Sequence, residues 1–439
     1  MLSRKRILLV YPQPAERKQW RFGFSLTLLY VGAILKGAGW QVFYLDFSIE
    51  HFEASSFLAA VADCVAMVVE LDSFPLKRSL NIAHGEEIIK LARLQDPQVK
   101  IVACGHDCIL NPRSVPMADF TICTEPEVAI EGVLSALMEG QAPIVTSHES
   151  LGDLDWLPFP ERGLLSARAE AGGSIRHAPH LAKSTLIQTS RGCQNSCRFC
   201  QRQGWSTRFR AHSVGYSFQE FRHLHEQNYM NVWVADDNFT FRLERAKSLL
   251  RRIGSEITGK SWRLALSSWL NVDRETIDLC KAAGVSIISF GVESANQQIL
   301  AFYGKRVDLE HAADIISYAN HVGIFSVGNF IIGAPMETAS TIQESIDLAK
   351  RLPFDQVNVK LLDYMVGSAL YAELPENMRK GNRHVFASRE AGVCPFPAEE
   401  LRAHAREFQR AVTAAHSGRL RDKIRMHGAP YVVLPAVRS

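Results

Sequence analysis

The chain has 439 residues, of which 47% are hydrophobic and 22% are charged, and its formal net charge is +3. This length predicts two or three domains of about 100–200 residues each. The small net charge argues against nucleic acid or an anionic membrane as the partner. The basic N-terminus leads directly into an apolar run, and the longest apolar stretch, residues 24–40, is too short to cross a bilayer. We therefore expect a cytoplasmic protein without a signal peptide.

Short apolar runs alternate with helical patterns over the first 140 residues. The strand candidates are residues 6–11, 41–46, 65–70, 100–104 and 120–123. Buried strands that alternate with helices predict an α/β domain over residues 1–143, built on a doubly wound parallel sheet. Ligands of such sheets bind beyond the carboxyl ends of the strands.

A second series of strands and helices follows a segment rich in proline and glycine. We interpret residues 144–184 as an interdomain linker, because they show little periodicity. Six strand–helix units over residues 185–374 predict a partial (β/α)6 barrel, whose chemistry should lie on the loops after the strands. Residues 375–439 are charged and predict a helical C-terminal region.

Three of the nine cysteines lie within eight residues, directly after the first predicted barrel strand: Cys193, Cys197 and Cys200. Iron–sulfur clusters are held by cysteine thiolates, and a cubane of four irons normally takes four. A loop that supplies three leaves one iron open to a substrate or cofactor. The alternative is a zinc loop, which usually needs a second pair of ligands nearby, and no such pair follows Cys200.

The Cys-x3-Cys-x2-Cys loop resembles the signature of the radical S-adenosylmethionine (SAM) superfamily. The whole layout resembles members with an N-terminal cobalamin-binding-type domain, including the branch of aminoglycoside radical diol dehydratases. This resemblance implies a [4Fe–4S] cluster on the three cysteines with SAM on the open iron. It also implies an electron donor such as flavodoxin or ferredoxin, and cleavage of SAM to a 5′-deoxyadenosyl radical.

The resemblance also implies which residues surround SAM. Phe199 would lie beside the adenine, Asp236 and Asp237 on the amino group, and Glu293 with Ser294 near the ribose hydroxyls. Gly333 would let the adenosyl group approach the backbone. The structural alternatives are that the two aspartates cap the next turn, and that Gly333 serves an ordinary strand-to-helix turn.

The residues of the first domain do not decide whether cobalamin binds. The Asp-x-His-x-x-Gly signature is absent, and Asp46 and His51 are too far apart to form it. His106 follows Cys104-Gly105, where relatives often have a glycine-rich histidine loop, although a core histidine is the alternative. Glu70-Leu71-Asp72 is bulkier and more acidic than the small hydroxyl residues of relatives that bind cobalamin without a histidine.

The narrowest expectation is a lyase of antibiotic biosynthesis that dehydrates or deoxygenates an amino sugar diol. Carboxylates at strand ends could anchor such a small polar substrate, and Tyr216 is the candidate general acid, with a packed tyrosine as its alternative. The sequence has no second group of cysteines, which argues against an auxiliary cluster. The alternatives are a cobalamin-dependent C-methyltransferase, or a related B12-dependent enzyme that forms C–C bonds or rings, and a sensor without turnover. The strand-end carboxylates that could anchor the amino sugar are Asp236, Asp237, Glu293 and Asp363.

Overall fold

The computed structural model describes residues 6–12, 24–71, 81–112, 115–141, 152–167, 183–204, 208–259 and 262–427. The chain divides into two compact units, Met1–Leu186 and Ile187–Ser439. Of the predicted linker, only residues 152–167 and 183–184 are among those described, so its glycine pair lies outside them. The boundaries that we placed at residues 143 and 185 stay a prediction.

The first unit contains a five-stranded parallel sheet with the strand order β2-β1-β3-β4-β5. Helices separate successive strands, which confirms the doubly wound class. The order reverses between β1 and β3, which is where ligands of such sheets bind. The elements are β1 (Arg6–Tyr11), α1 (Leu26–Gly37), β2 (Gln41–Asp46), α2 (Ala54–Ala62), β3 (Ala66–Glu70), α3 (Ile82–Gln95), β4 (Lys100–Cys104), α4 (His106–Leu110), β5 (Phe120–Thr121) and α5 (Pro126–Met138).

The second unit is built on a six-stranded sheet with the order β13-β12-β11-β10-β9-β6. Strands β9 to β13 pair in parallel and follow one another in chain order, as a partial (β/α)6 barrel requires. The elements are β6 (Ser184–Ile187), β7 (Ser190–Arg191), β8 (Arg210–Ala211), α6 (Val214–Glu226), β9 (Asn231–Val234), α7 (Leu243–Glu256), β10 (Arg263–Ser268), α8 (Arg274–Ala283), β11 (Val285–Glu293), α9 (Gln297–Phe302), α10 (Leu309–His321), β12 (Phe325–Ile332), α11 (Ala339–Arg351) and β13 (Gln356–Leu361).

The region after the barrel is not purely helical. An antiparallel hairpin pairs β14 (Asp363–Met365) with β15 (His384–Phe386), and α12 (Ala369–Ala372) and α13 (Glu376–Arg379) lie between them. The long helix α14 (Ala398–His427) then packs on the barrel, where Lys423 donates to the Ile324 carbonyl at 2.7 Å and to Asp355 at 2.5 Å. No helix among the described residues is both long and apolar enough to cross a membrane.

A buried carboxyl group ends the central strand of the first sheet. Glu70 is 1% exposed, and the Ser25 hydroxyl donates to its Oε2. Ser25 also caps α1, because its Oγ accepts the Leu28 N–H at 3.0 Å. Burial is the main cause that raises the pKa of Glu70 to about 8. Glu70 is therefore a buried carboxyl group that is held by the same serine that caps α1.

We expect the Glu70→Gln substitution to flatten the pH dependence of stability. The raised pKa means that the folded state binds more protons than the unfolded state between pH 4.5 and about 8. The free energy of unfolding therefore falls as the pH rises through this interval, and glutamine removes that contribution. Urea unfolding across the interval measures the slope. Glu87→Gln, at an exposed position of α3, should keep the wild-type slope, and identical slopes for the two variants would contradict the assignment.

Candidate active site

The cysteine loop begins at the carboxyl end of the first barrel strand. Cys193, Cys197 and Cys200 follow β6 and β7. Cys197 is 8% exposed, and the other two cysteines are half-buried. The Cys200 N–H donates to the Cys197 carbonyl at 3.0 Å, which closes a turn between them. All three thiols thus lie on one loop, at the barrel edge where such folds carry their chemistry.

The three thiols lie close enough to influence one another's ionisation. Burial raises the pKa of the Cys197 and Cys200 thiols to about 12, and the charge of Cys193 adds to both rises. Iron would replace these protons, because thiolates are the ligands. Among the described residues, no three His, Cys, Asp or Glu side chains converge as ligands of a single ion. A cubane distributes its thiolates over different irons, so this donor set fits a [4Fe–4S] cluster.

Asp236 fixes the base of the cysteine loop. Its carboxylate accepts hydrogen bonds from the N–H and hydroxyl of Thr189 and from the hydroxyl of Ser190, each at 2.6 Å. Burial raises the pKa of Asp236, and these hydrogen bonds oppose the rise. The carboxylate is thus used by the protein itself. Its predicted contact with SAM stays a prediction.

Asp237 holds the next part of the same loop. Its side chain is 1% exposed, accepts the Gly192 N–H at 3.0 Å and forms an ion pair with Arg202. Arg202 also approaches the Cys200 sulfur at 3.9 Å. Sequence reasoning missed this arginine, although its position two residues after the last cysteine was an available signal.

Glu293 ends β11 in a strained conformation. Its φ of +69° lies in the left-handed region, which is rare for residues with a side chain and often occurs at functional sites. The Lys305 ammonium donates to its carboxylate at 2.7 Å. Sequence reasoning missed Lys305, because nothing in its local sequence distinguishes it from a surface lysine.

Ser294 and Gly333 serve the protein's own turns. The Ser294 hydroxyl accepts the Asn296 N–H at 3.1 Å, just before α9. Gly333 has a φ of +112°, and a Cβ there would lie 2.9 Å from the Ala387 side chain. The glycine is therefore required by the close approach of the C-terminal region. Contact of either residue with SAM stays a prediction.

Phe199 and Tyr216 are both aromatic contacts within the second unit. The Phe199 ring packs edge-on against Tyr303, with 5.4 Å between the ring centres. Tyr216 lies in the first turn of α6, and its ring stacks on His212 at 4.0 Å. This stacking matches the packed-tyrosine alternative. The adenine contact and the general-acid role stay predictions.

His106 and Asp363 are the two remaining predicted residues, and each begins an element of secondary structure. His106 is the first residue of α4 in the other unit, behind Gly105, whose φ is +107°. Asp363 begins β14 and its Oδ2 lies 3.0 Å from Nδ1 of His384, a partner that the sequence did not suggest. The structure therefore groups Asp237 and Glu293 with the cysteines, since both carboxylates influence the thiol ionisation.

A cavity of about 790 Å³ opens beside the cysteine loop. Ser196 of that loop lines it, together with Trp269 and Asn271 after β10 and Lys305 after α9. The indole of Trp269 and the amide of Asn271 give the cavity both apolar and polar lining, as is common in small-molecule sites.

Comparisons with known proteins find a radical SAM domain in the second unit. Residues 187–349 match the radical SAM superfamily. An uncharacterized methyltransferase of Pyrococcus horikoshii is 27% identical over 65% of this chain and 65% of its own length. Cytidylyl-2-hydroxyethylphosphonate methyltransferase of Streptomyces wedmorensis is 29% identical over 51% of this chain and 43% of its own length. The match therefore spans less than two thirds of either relative.

A solved structure extends the similarity over both units. The radical SAM methyltransferase TsrM from Kitasatospora setae, with cobalamin and a [4Fe–4S] cluster bound, superposes with a TM-score of 0.72 at 16% identity. The superposition covers 93% of this chain and 81% of TsrM. The fold is thus shared, with an N-terminal α/β sheet followed by a radical SAM barrel. The second unit therefore contains a radical SAM domain, which spans residues 187–349.

Replacement of Cys197 by alanine should prevent cluster assembly. Two thiols cannot hold a cubane that three would hold, so we expect the anaerobically reconstituted variant to lose most of its iron and the paramagnetic signal of the reduced cluster. Cys280→Ala is the matched control, because Cys280 is buried in α8 outside the loop. A full iron content in the Cys197 variant would exclude this ligand set.

Asp236→Asn should destabilise the loop while it preserves the shape of the side chain. The new amide N–H2 would face the donors of Thr189 and Ser190, and an unmatched buried polar group costs about 1–3 kcal/mol. We expect a lower free energy of unfolding, measured with urea, and a lower iron content after reconstitution. Asp278→Asn, on the exposed face of α8, should change neither quantity. Wild-type iron content and stability in the Asp236 variant would refute the bracing role.

Proposed function

We propose that this protein is a cobalamin-dependent radical SAM methyltransferase that acts on a small-molecule substrate. The observation that carries the proposal is the extent of the fold similarity, because the match to TsrM spans both the N-terminal sheet and the barrel. The names of the two curated relatives, both methyltransferases, support the same reaction class.

The second unit supplies what the SAM half of the reaction needs. Cys193, Cys197 and Cys200 would hold the cluster, and the iron without a thiolate would bind SAM. Asp237 and Arg202 brace the loop, and Glu293 presents a carboxylate at the end of β11. The cavity beside Ser196 offers room for a small molecule. An external one-electron donor of the flavodoxin or ferredoxin class would reduce the cluster.

The first unit fits cobalamin by its fold. Its strand order reverses between β1 and β3, and α4 begins with His106 at the same carboxyl edge. Glu70 had argued against a cofactor here, yet its side chain is buried and hydrogen-bonded to Ser25, and burial raises its pKa to about 8, so the group is mostly uncharged at neutral pH. Asp72 lies outside the described residues. His106 and the backbone N–H groups at the start of α4 would be the contacts nearest to the cofactor.

The cofactors would supply a transferable methyl group and a radical that removes a hydrogen atom from carbon. The protein's own residues bind and orient the substrate and exclude water. None of them needs to carry the methyl group. Dehydration of an amino sugar is less well supported, because the weak cobalamin fingerprint was its main argument and the curated relatives named above are methyltransferases.

The test combines cofactor retention with the fate of an isotopic methyl group. Protein purified with hydroxocobalamin should keep about one equivalent through gel filtration, because the fold predicts a preformed site. Incubation with a small-molecule extract of the source cells, reductant and SAM with a deuterated methyl group should then give a product that carries the label by mass spectrometry.

The Cys197→Ala variant is the control for this experiment. It should retain cobalamin, since the cysteine loop belongs to the other unit, and form no labelled product. Product that has lost water and gained no methyl group would favour the dehydratase. Failure to retain cobalamin would refute the cofactor assignment.

A further inference from the structure

The ammonium group of Lys305 lies in the interior of the second unit. Its side chain is only 1% exposed, and its ammonium group lies 2.7 Å from the Glu293 carboxylate and 5.2 Å from the centre of the Trp269 ring. A buried ammonium is costly unless it is paired. Structural stability alone does not explain such a pair, because apolar residues of similar volume are often as stable.

The chain segment that carries Lys305 is fixed to the cysteine loop. The Tyr303 carbonyl accepts the Arg198 N–H at 2.9 Å. Gly304 has a φ of +66°, and a Cβ there would lie 2.7 Å from the Ser196 carbonyl oxygen. The backbone before Lys305 therefore touches the loop between Cys193 and Cys200, and cannot move independently of it.

Lys305 and Glu293 act on the thiols with opposite signs. Burial raises the pKa of the Cys193 and Cys197 thiols, and the charge of Lys305 opposes both rises. The charge of Glu293 adds to the rise at Cys197 and Cys200. Lys305 directly follows Gly304, which contacts Ser196 beside Cys197, so the Lys305–Glu293 pair lies close to the cysteine loop.

We propose that Lys305 is a positioning residue that sets the reduction potential of the cluster on Cys193, Cys197 and Cys200, and that Glu293 offsets its charge. Reduction adds one electron, so a nearby buried cation stabilises the reduced state and raises the potential. A higher potential makes the electron transfer from the donor more favourable. This inference rests on the proposed function only in requiring a cluster on the three cysteines.

The decisive measurement is a redox titration of the reconstituted full chain, without SAM or substrate, followed by paramagnetic resonance. Glu293→Gln removes the offsetting charge and should raise the midpoint potential above that of the wild type. The double variant Glu293→Gln/Lys305→Met should lie below Glu293→Gln by at least a tenfold change in the reduction equilibrium, or 59 mV for a one-electron couple. The glutamine background is used because a buried carboxylate without its cation could take up a proton, and Lys305→Arg in that background keeps the positive charge fixed, since a guanidinium stays protonated.

Lys305→Arg in the same background is the matched control, since it keeps the charge, and its potential should stay near that of Glu293→Gln. Iron content and the ultraviolet–visible spectrum establish that each variant holds an intact cluster. Equal potentials for Glu293→Gln/Lys305→Arg and Glu293→Gln/Lys305→Met, with intact clusters, would overturn the role of the charge at position 305. Absence of a cluster from the wild-type protein would instead refute the proposed function.

Discussion

The path of the cysteine loop in the second unit depends on two neighbouring carboxylates just after β9. Asp236 holds Thr189 and Ser190, and Asp237 holds Gly192, so the chain enters the cysteine loop in one fixed path. Strands β6 and β9 are neighbours in the sheet, which brings the end of one beside the loop of the other. A loop of three thiols must be held precisely to bind a cluster. The two hydrogen-bonded aspartates supply this order.

Buried charges around the loop occur in pairs. Asp237 is matched by Arg202, and Glu293 by Lys305, each with little exposed side-chain surface. Such pairs repay their desolvation only when the geometry is good and further hydrogen bonds are made. The charges within each of these two pairs therefore offset one another before any iron is bound. The position of each cation, rather than the net charge, would then control the reduction potential of the cluster.

In the first unit, the direction of one side chain changes the interpretation of the sheet edge. Glu70 is the last residue of β3, whose carboxyl end lies at the switch point, so its charge counted against a cofactor. The structure places the group beneath the start of α1, where burial raises its pKa to about 8. The edge is thus less acidic near neutral pH than the sequence implies.

The sequence by itself determined the α/β class, most strand limits of the first sheet and the three-cysteine loop, whose role as the cluster ligands stays a prediction. These features are local, because buried strands are continuous apolar runs and the cysteine spacing lies within one loop. Only the tertiary structure decided that Lys305 lies near Cys197, that Arg202 pairs with Asp237 and that Gly333 faces Ala387. Those contacts join segments that are distant in sequence or that turn toward one another through loop conformation. Their partners are chosen by packing and charge compensation in three dimensions, which no local pattern encodes.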